Sequence, residues 1–289
     1  MTAFLQDFGS NPFLATGLLA GLLASVACGI MGPYVITRRI VFLAGAIAHI
    51  AIGGVGAALF INYRFPASAA GLTPLVGATV VSVLAAIVLA VLHHRVRERL
   101  DTLVGALWAM GMACGLLLIK LTPGYHTELM SYLFGNIAFV GWDAIRWMIG
   151  LDLVIVVIAV LWHKRFLALC LDEEQAELQG ISILLTEIVL LALVALTVIV
   201  LTQVVGLILV IALLSLPAAA VAQRVSRMAA LIAYSVGLTA VLTTVPRLVV
   251  YGTRISPEAA IVLAAGGVYL ISLAASLLRR RDGTTDATA

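Results

Sequence analysis

Residues 75–92 read LVGATVVSVLAAIVLAVL, and the stretch that follows at once, residues 93–99, reads HHRVRER. The first part carries no charge and no alternation of apolar with polar positions. About 18 apolar residues in a row are long enough to cross the hydrocarbon core of a bilayer as a helix. Inside that core every backbone N–H and C=O must be satisfied within the protein, so only helices and closed barrels span it. A barrel strand would alternate and would be half as long. The stretch therefore predicts a membrane-spanning helix with a basic end facing the cytoplasm.

The rest of the chain repeats this pattern. Of 289 residues, 63% are hydrophobic and only 11% are charged, against about 25% charged in an ordinary soluble domain. Nine spans are read: Phe13–Met31, Ile40–Ile61, Leu75–Leu92, Leu103–Ile119, Trp147–Trp162, Ile183–Leu201, Val204–Val221, Met228–Val245 and Ala259–Leu278. The boundary between the sixth and seventh is marked only by Thr202, Gln203 and Gly206. A shorter apolar piece, Leu129–Val140, suits a re-entrant helix whose ends are covered by protein. The expected fold is all-α: a polytopic transmembrane bundle of about nine spans, within a range of eight to ten, plus that re-entrant helix. Residues 1–281 form one membrane domain, and the polar segment 282–289 is read as a disordered cytoplasmic tail.

Charge sets the expected orientation. With the three C-terminal arginines, Arg279, Arg280 and Arg281, in the cytoplasm, nine spans also place Arg38, Arg39, Arg95, Arg97, Arg99, Lys164, Arg165, Arg224 and Arg227 there. Only Arg64, Lys120, Arg146, Arg247 and Arg254 fall on the other side. This bias is what the positive-inside rule requires. The N-terminus has Asp7 as its only charge before a long apolar run, unlike a cleavable signal with its basic start and short apolar core. A formal net charge of +3 gives no footprint for nucleic acid. Cys28, Cys114 and Cys170 form no CxxC pair, which leaves a disulfide framework or a cysteine metal site unsupported.

The two lysines exclude a nucleotide-hydrolysing role for the chain itself. Lys120 precedes Leu121 and Lys164 precedes Arg165, whereas a phosphate-cradling P-loop needs Gly-Lys-Ser/Thr. HExxH and GxSxG are absent, as are the paired intramembrane carboxylates of proton pumps.

Several features can carry chemistry. His49 lies nine residues beyond Ile40, about 14 Å along a helix and so near the bilayer midplane. Gly45, His49, Gly53 and Gly56 share one helical face, and small residues let a second helix approach. This histidine either hydrogen-bonds between helices or lines a substrate path; neutral imidazole suits zinc, manganese or iron. The segment DEEQAELQG, Asp172–Gly180, has a cap at Asp172, acidic residues Glu173 and Glu174 for the first turn, and a C′ glycine. It predicts a helix of about two turns at the membrane surface, either a solvated connector or a docking element for a soluble partner. In the outer loop, His126 and Glu128 are solvated residues or a first contact for an incoming cation. Asp152 and Glu187 near span ends read as snorkelling or helix-end pairing. His93, His94 and His163 read as flanking residues, and Pro217 as a kink or end of the seventh span.

Taken together, these segments resemble the permease subunits of bacterial zinc/manganese-type metal-ion ABC importers. The resemblance runs from about Gly21 to Leu278 and rests on RRIVFLAGAIAH (Arg38–His49, followed by Gly53 and Gly54), DTLVGALWAMGMACG from Asp101, TPGYHTELMSYLFG from Thr122, DEEQAELQGI from Asp172 and VVGLILVIALLSLPAAAVA (Val204–Ala222). It implies a permease in the bacterial or archaeal cytoplasmic membrane that forms a homodimeric or paired core, with separate ABC ATPase subunits and an extracytoplasmic metal-binding protein as partners. The metal passes as cargo, and the chain holds no cofactor of its own. It further implies that Asp172, Glu173, Glu174, Glu177 and Gly180 belong to the helix that couples to the ATPase, and that His49 is the leading metal-path residue. Glu187 falls where the family usually has an acidic residue, and Gln203 is a secondary path candidate. Two positions depart from the family pattern. Gly45 stands where an Asp is common one turn before the histidine. Near the C-terminus, VVYGTRISPEA keeps Pro257 but lacks the usual Asp and Gly. The first departure invites a second reading, a permease of the same architecture for a metal chelate or other small solute. A secondary transporter stands behind both.

Overall fold

The structure is a computed structural model, and it describes residues 12–65, 72–96, 100–123 and 140–285. The described residues form ten helices: α1 (Pro12–Thr37), α2 (Val41–Arg64), α3 (Pro74–Val96), α4 (Leu100–Lys120), α5 (Trp142–Leu171), α6 (Glu173–Leu178), α7 (Ile183–Val205), α8 (Leu207–Ala222), α9 (Met228–Val250) and α10 (Pro257–Thr285). No strand occurs among the described residues. The polytopic helical bundle read from hydropathy is the fold. The re-entrant piece Leu129–Val140 lies outside the described residues except for Val140. Helix α10 runs through Thr285 into the expected tail, and residues 286–289 lie outside the described residues.

Among the described residues, eight helices are long and apolar enough to cross a membrane. The remaining expected span, the seventh, is α8, which has 16 residues. At 1.5 Å per residue it reaches about 24 Å, short of the ~30 Å core. Its boundary with α7 is a single residue. Gly206 has φ 88° and ψ 155°, a backbone region open to glycine, and its N–H closes α7 on Thr202 O at 2.9 Å. Helix α8 continues through Pro217 to Ala222 rather than ending there.

The chain builds two compact units from discontinuous segments. One takes its described residues from 1–36, 136–156 and 208–289. In it α1 packs through small residues: Gly32 lies against the backbone of Leu214 and Gly29 against that of Val236. Buried hydroxyls in this unit bond to helix carbonyls, as Thr239 Oγ1 does to Ser235 O at 2.7 Å and Ser272 Oγ to Ala220 O at 2.9 Å. That is how polar side chains are satisfied where water is absent. Asp152 and Arg247 are also buried here.

The other unit takes its described residues from 37–135 and 157–207. Its centre is α2, which packs on α3, α4 and α7 and is buried along most of its length. Glycine pairs set the spacing. Gly54 meets Gly77 of α3, while Gly53 and Gly56 meet Gly111 and Gly115 of α4. A Cβ on Gly115 would sit 2.6 Å from the backbone of Ile52 and Gly53, so the two helix backbones touch directly. Lipid is as apolar as leucine, so this close contact, rather than hydrophobic transfer, holds the helices together.

Gly115→Ala is therefore expected to push α2 and α4 apart and destabilise the protein by about 1–3 kcal/mol, read as a shift in denaturant unfolding in detergent. Gly105→Ala on the same helix, with nothing within 4 Å of the added carbon, should instead be neutral or stabilise by up to about 1 kcal/mol through helix propensity.

Candidate functional site

The central unit brings together two groups of functional residues, one along α2 and one at its N-terminal end. Along α2, the face His49, Gly53, Gly56 meets the face Trp108, Gly111, Gly115 of α4. The spacings 4 and 3 on one helix and 3 and 4 on the other are those of a single helical stripe. The glycines bring the backbones close, and the first residue of each stripe is then forced into contact. The rings of His49 and Trp108 lie 4.8 Å apart between centroids at 35°. The expected stripe containing His49 thus packs on protein.

His49 is half-buried, and its Nδ1 lies 2.7 Å from Gly45 O. A carbonyl has no proton to give, so Nδ1 carries the hydrogen and donates. In neutral imidazole the lone pair then resides on Nε2. Among the described residues Nε2 takes no hydrogen bond. This is the arrangement that orients histidine ligands in metal sites, where the second ring nitrogen donates to a backbone carbonyl or carboxylate. Gly45 is buried and contributes its carbonyl. No group of three His, Cys, Asp or Glu side chains among the described residues is arranged to hold a metal ion.

At the N-terminal end of α2, a tight turn places Arg38 and Arg39 between α1 and α2, with Arg39 at φ 59°. Arg38 Nη1 donates to Glu173 Oε1 and, at 3.1 Å, to Leu169 O. Its Nη2 donates to Glu187 Oε1 at 3.4 Å. His93 Nε2, in the last turn of α3, lies 4.0 Å from the same Glu187 oxygen. Helices α2, α3, α5, α6 and α7 thus meet around one guanidinium. The side chains of Arg38 and Glu187 are 11% and 3% exposed, and that of Glu173 is 43% exposed. The buried arm to Glu187 dominates, because an exposed ion pair is worth little while a buried charge without its partner is strongly destabilising. From the sequence, His93 reads as a flanking residue, and Arg38 as an orienting charge that also opens the RRIVFLAGAIAH motif, with no partner assigned to either. Their signal was a cluster of charges at span ends, which does not reveal which ends adjoin.

The helix α6 forms as its sequence predicts. Asp172 is extended, at φ −159° and ψ 114°, and its Oδ1 accepts from Glu174 N at 2.9 Å and Gln175 N at 3.1 Å. At the other end Gly180 has φ 78°, its N–H bonds Glu177 O at 2.9 Å, and Ile181 N bonds Ala176 O at 3.1 Å. That pair of bonds is a Schellman cap. Ala176 is buried, whereas Glu174 and Glu177 are exposed. Leu178 is 88% exposed, a residue that sequence reasoning did not single out.

Of the remaining candidates, Glu187 is buried in the Arg38 cluster. Gln203 lies in the last turn of α7. His126 and Glu128 fall outside the described residues. Asp152 does not join either group, and it belongs to the other unit.

Comparison with known proteins adds the following. The family model described as "ABC 3 transport family" matches residues 10–276. An uncharacterised membrane protein of Synechocystis is 39% identical over 91% of this chain and 90% of its own. A protein of Chlamydia trachomatis named a probable metal transport system membrane protein is 36% identical over 93% of this chain and 90% of its own. Among solved structures, PsaBC from Streptococcus pneumoniae in complex with Fab matches with a TM-score of 0.79 at 26% identity, covering 94% of this chain and 95% of that one.

Asp172→Ala should remove both cap bonds and cost the local helix about 1 kcal/mol. Amide hydrogen exchange across residues 173–178 should speed up several-fold, with the crossing helices unchanged.

Proposed function

The chain belongs to the ABC 3 transport family, and we propose that it is the membrane-spanning permease subunit of an ATP-driven importer that passes a divalent transition-metal ion of the zinc or manganese class into the cytoplasm. The observation that carries the reading is His49. Its Nδ1–H is held by Gly45 O, and Nε2 is left as an oriented nitrogen ligand atom, the type suited to such ions. It stands deep within a crossing helix whose packing face is closed by glycines. A relative named a probable metal transport system membrane protein supports a metal as cargo.

ATP is hydrolysed by separate ABC ATPase subunits, since neither Lys120 nor Lys164 sits in a P-loop. They dock on α6. Its two caps make it a rigid element despite its length, and its exposed side offers Leu178 beside Glu174 and Glu177. An extracytoplasmic binding protein delivers the ion, two permease copies form the core, and the chain itself holds no cofactor. The chain lies in the cytoplasmic membrane with α6 and the C-terminus inside. Keeping Lys164, Arg165, Arg224 and Arg227 on one side requires α7 and α8 to act as a pair of crossings, the short α8 included. The convergence of Arg38, His93, Glu173 and Glu187 supports the part of this topology that puts these four residues on one side of the membrane. Those residues follow or precede crossings in even number and meet at one end of their unit.

Gly45 favours a second reading within the same architecture. With no carboxylate one turn before His49, the path carries one negative charge fewer, which suits a chelated metal as cargo.

His49→Ala is expected to lower metal uptake into proteoliposomes at least tenfold, while the chain still co-purifies with its ATPase. Uptake at the wild-type rate would remove His49 from the path, and failure of the detergent-solubilised wild-type chain to retain any ATPase would remove the docking role of α6.

A further inference from the structure

We propose that Arg38 is a positioning residue that ties α6 to the His49-bearing helix α2, so that displacement of α6 by its docked partner is delivered to the ion path. The inference rests on the importer reading above and adds to it the means by which the two sites communicate.

The geometry supplies each link. Arg38 stands three residues before the first residue of α2, and the intervening turn is tight: Arg39 is left-handed and Leu43 N bonds Ile40 O at 3.0 Å. Little slack separates the guanidinium from the helix. The guanidinium holds both sides of the α5–α6 corner, Leu169 O in the last turn of α5 and Glu173 at the first residue of α6. Its other nitrogen is anchored on Glu187 of α7, which His93 of α3 also approaches. Both ends of α6 are capped, so a push on it moves the whole element. On the far side of the turn, α2 is buried through Leu43 and Ile47 and reaches backbone contact with α3 and α4 at Gly53, Gly54 and Gly56, where no side chain lies between to absorb a displacement. His49 lies eight residues beyond Val41, about 12 Å along that rod.

The two arms of the fork differ in kind. Glu187 is buried and its pairing is costly to break, so it fixes Arg38 to the core of the unit. Glu173 is close to half exposed, so its pairing is screened and readily exchanged when a partner covers α6. A planar guanidinium with several donors can hold both at once, which a lysine cannot do with the same geometry. An anchored arm joined to a releasable arm suits a residue that transmits a docking event. A structural staple would have both arms buried.

The test uses the full chain assembled with its ATPase subunits in proteoliposomes, with zinc or manganese as cargo, and reads ions taken up per ATP hydrolysed. Arg38→Gln alone takes the guanidinium from buried Glu187 and leaves it to His93 at 4.0 Å, so assembly should fall. Arg38→Gln combined with Glu187→Gln removes that buried charge and should restore assembly. In the double variant ATP hydrolysis per complex should persist while ions moved per ATP fall at least tenfold. Arg38→Lys should give an intermediate ratio. A wild-type ratio in the double variant would overturn the proposal. So would loss of assembly in both Gln variants, which would reduce the cluster to a structural role. If the wild-type complex itself moves neither metal, the importer reading fails and this inference falls with it, an outcome distinct from the others.

Discussion

In hydrocarbon a peptide group has only other peptide groups to bond. Everything else in this protein follows from that constraint. It forces the chain into helices, and it removes the usual driving force for packing them, because lipid solvates leucine as well as another leucine does. What remains is close contact between backbones. Gly53, Gly54 and Gly56 on α2 meet Gly77, Gly111 and Gly115 on its neighbours at distances no side chain would permit. The helix that carries His49 is therefore the most tightly enclosed in its unit.

The same constraint explains the form of the two functional groups. A half-buried imidazole has few polar partners to choose from, and the nearest is the carbonyl one turn back on its own helix. That choice sets the tautomer and orients the other nitrogen. At the end of the unit the problem is reversed. Glu187 is buried close to the membrane boundary, and Arg38 donates to it as well as to Glu173 and the Leu169 carbonyl. A charge cluster of this kind belongs where the helices end, since water is near enough to admit charges and the protein dense enough to fix them.

Much of this was legible beforehand. Among the described residues, hydropathy located all eight helices long enough to cross, because a run such as Leu75–Leu92 has no alternative to burial in lipid. The local chemistry of DEEQAELQG specified α6 down to its caps at Asp172 and Gly180. The glycine spacing around His49 showed which face would be packed. The chain-level signal was weaker at the break between α7 and α8. There, apolar residues continue on both sides and only the positive φ of Gly206 ends the helix.

Sequence by itself thus determined the helical membrane fold, the α6 motif and the packed face of α2, because each depends on contacts within a helical turn or on transfer between water and lipid. Tertiary structure alone decided that Trp108 stacks on His49, that Arg38 joins Glu173 to Glu187, and that His93 faces the same carboxylate. Those partners are separated by many tens of residues. Which helix ends come to lie side by side is set by the sum of many close packing contacts, and no short-range pattern in the chain encodes that sum.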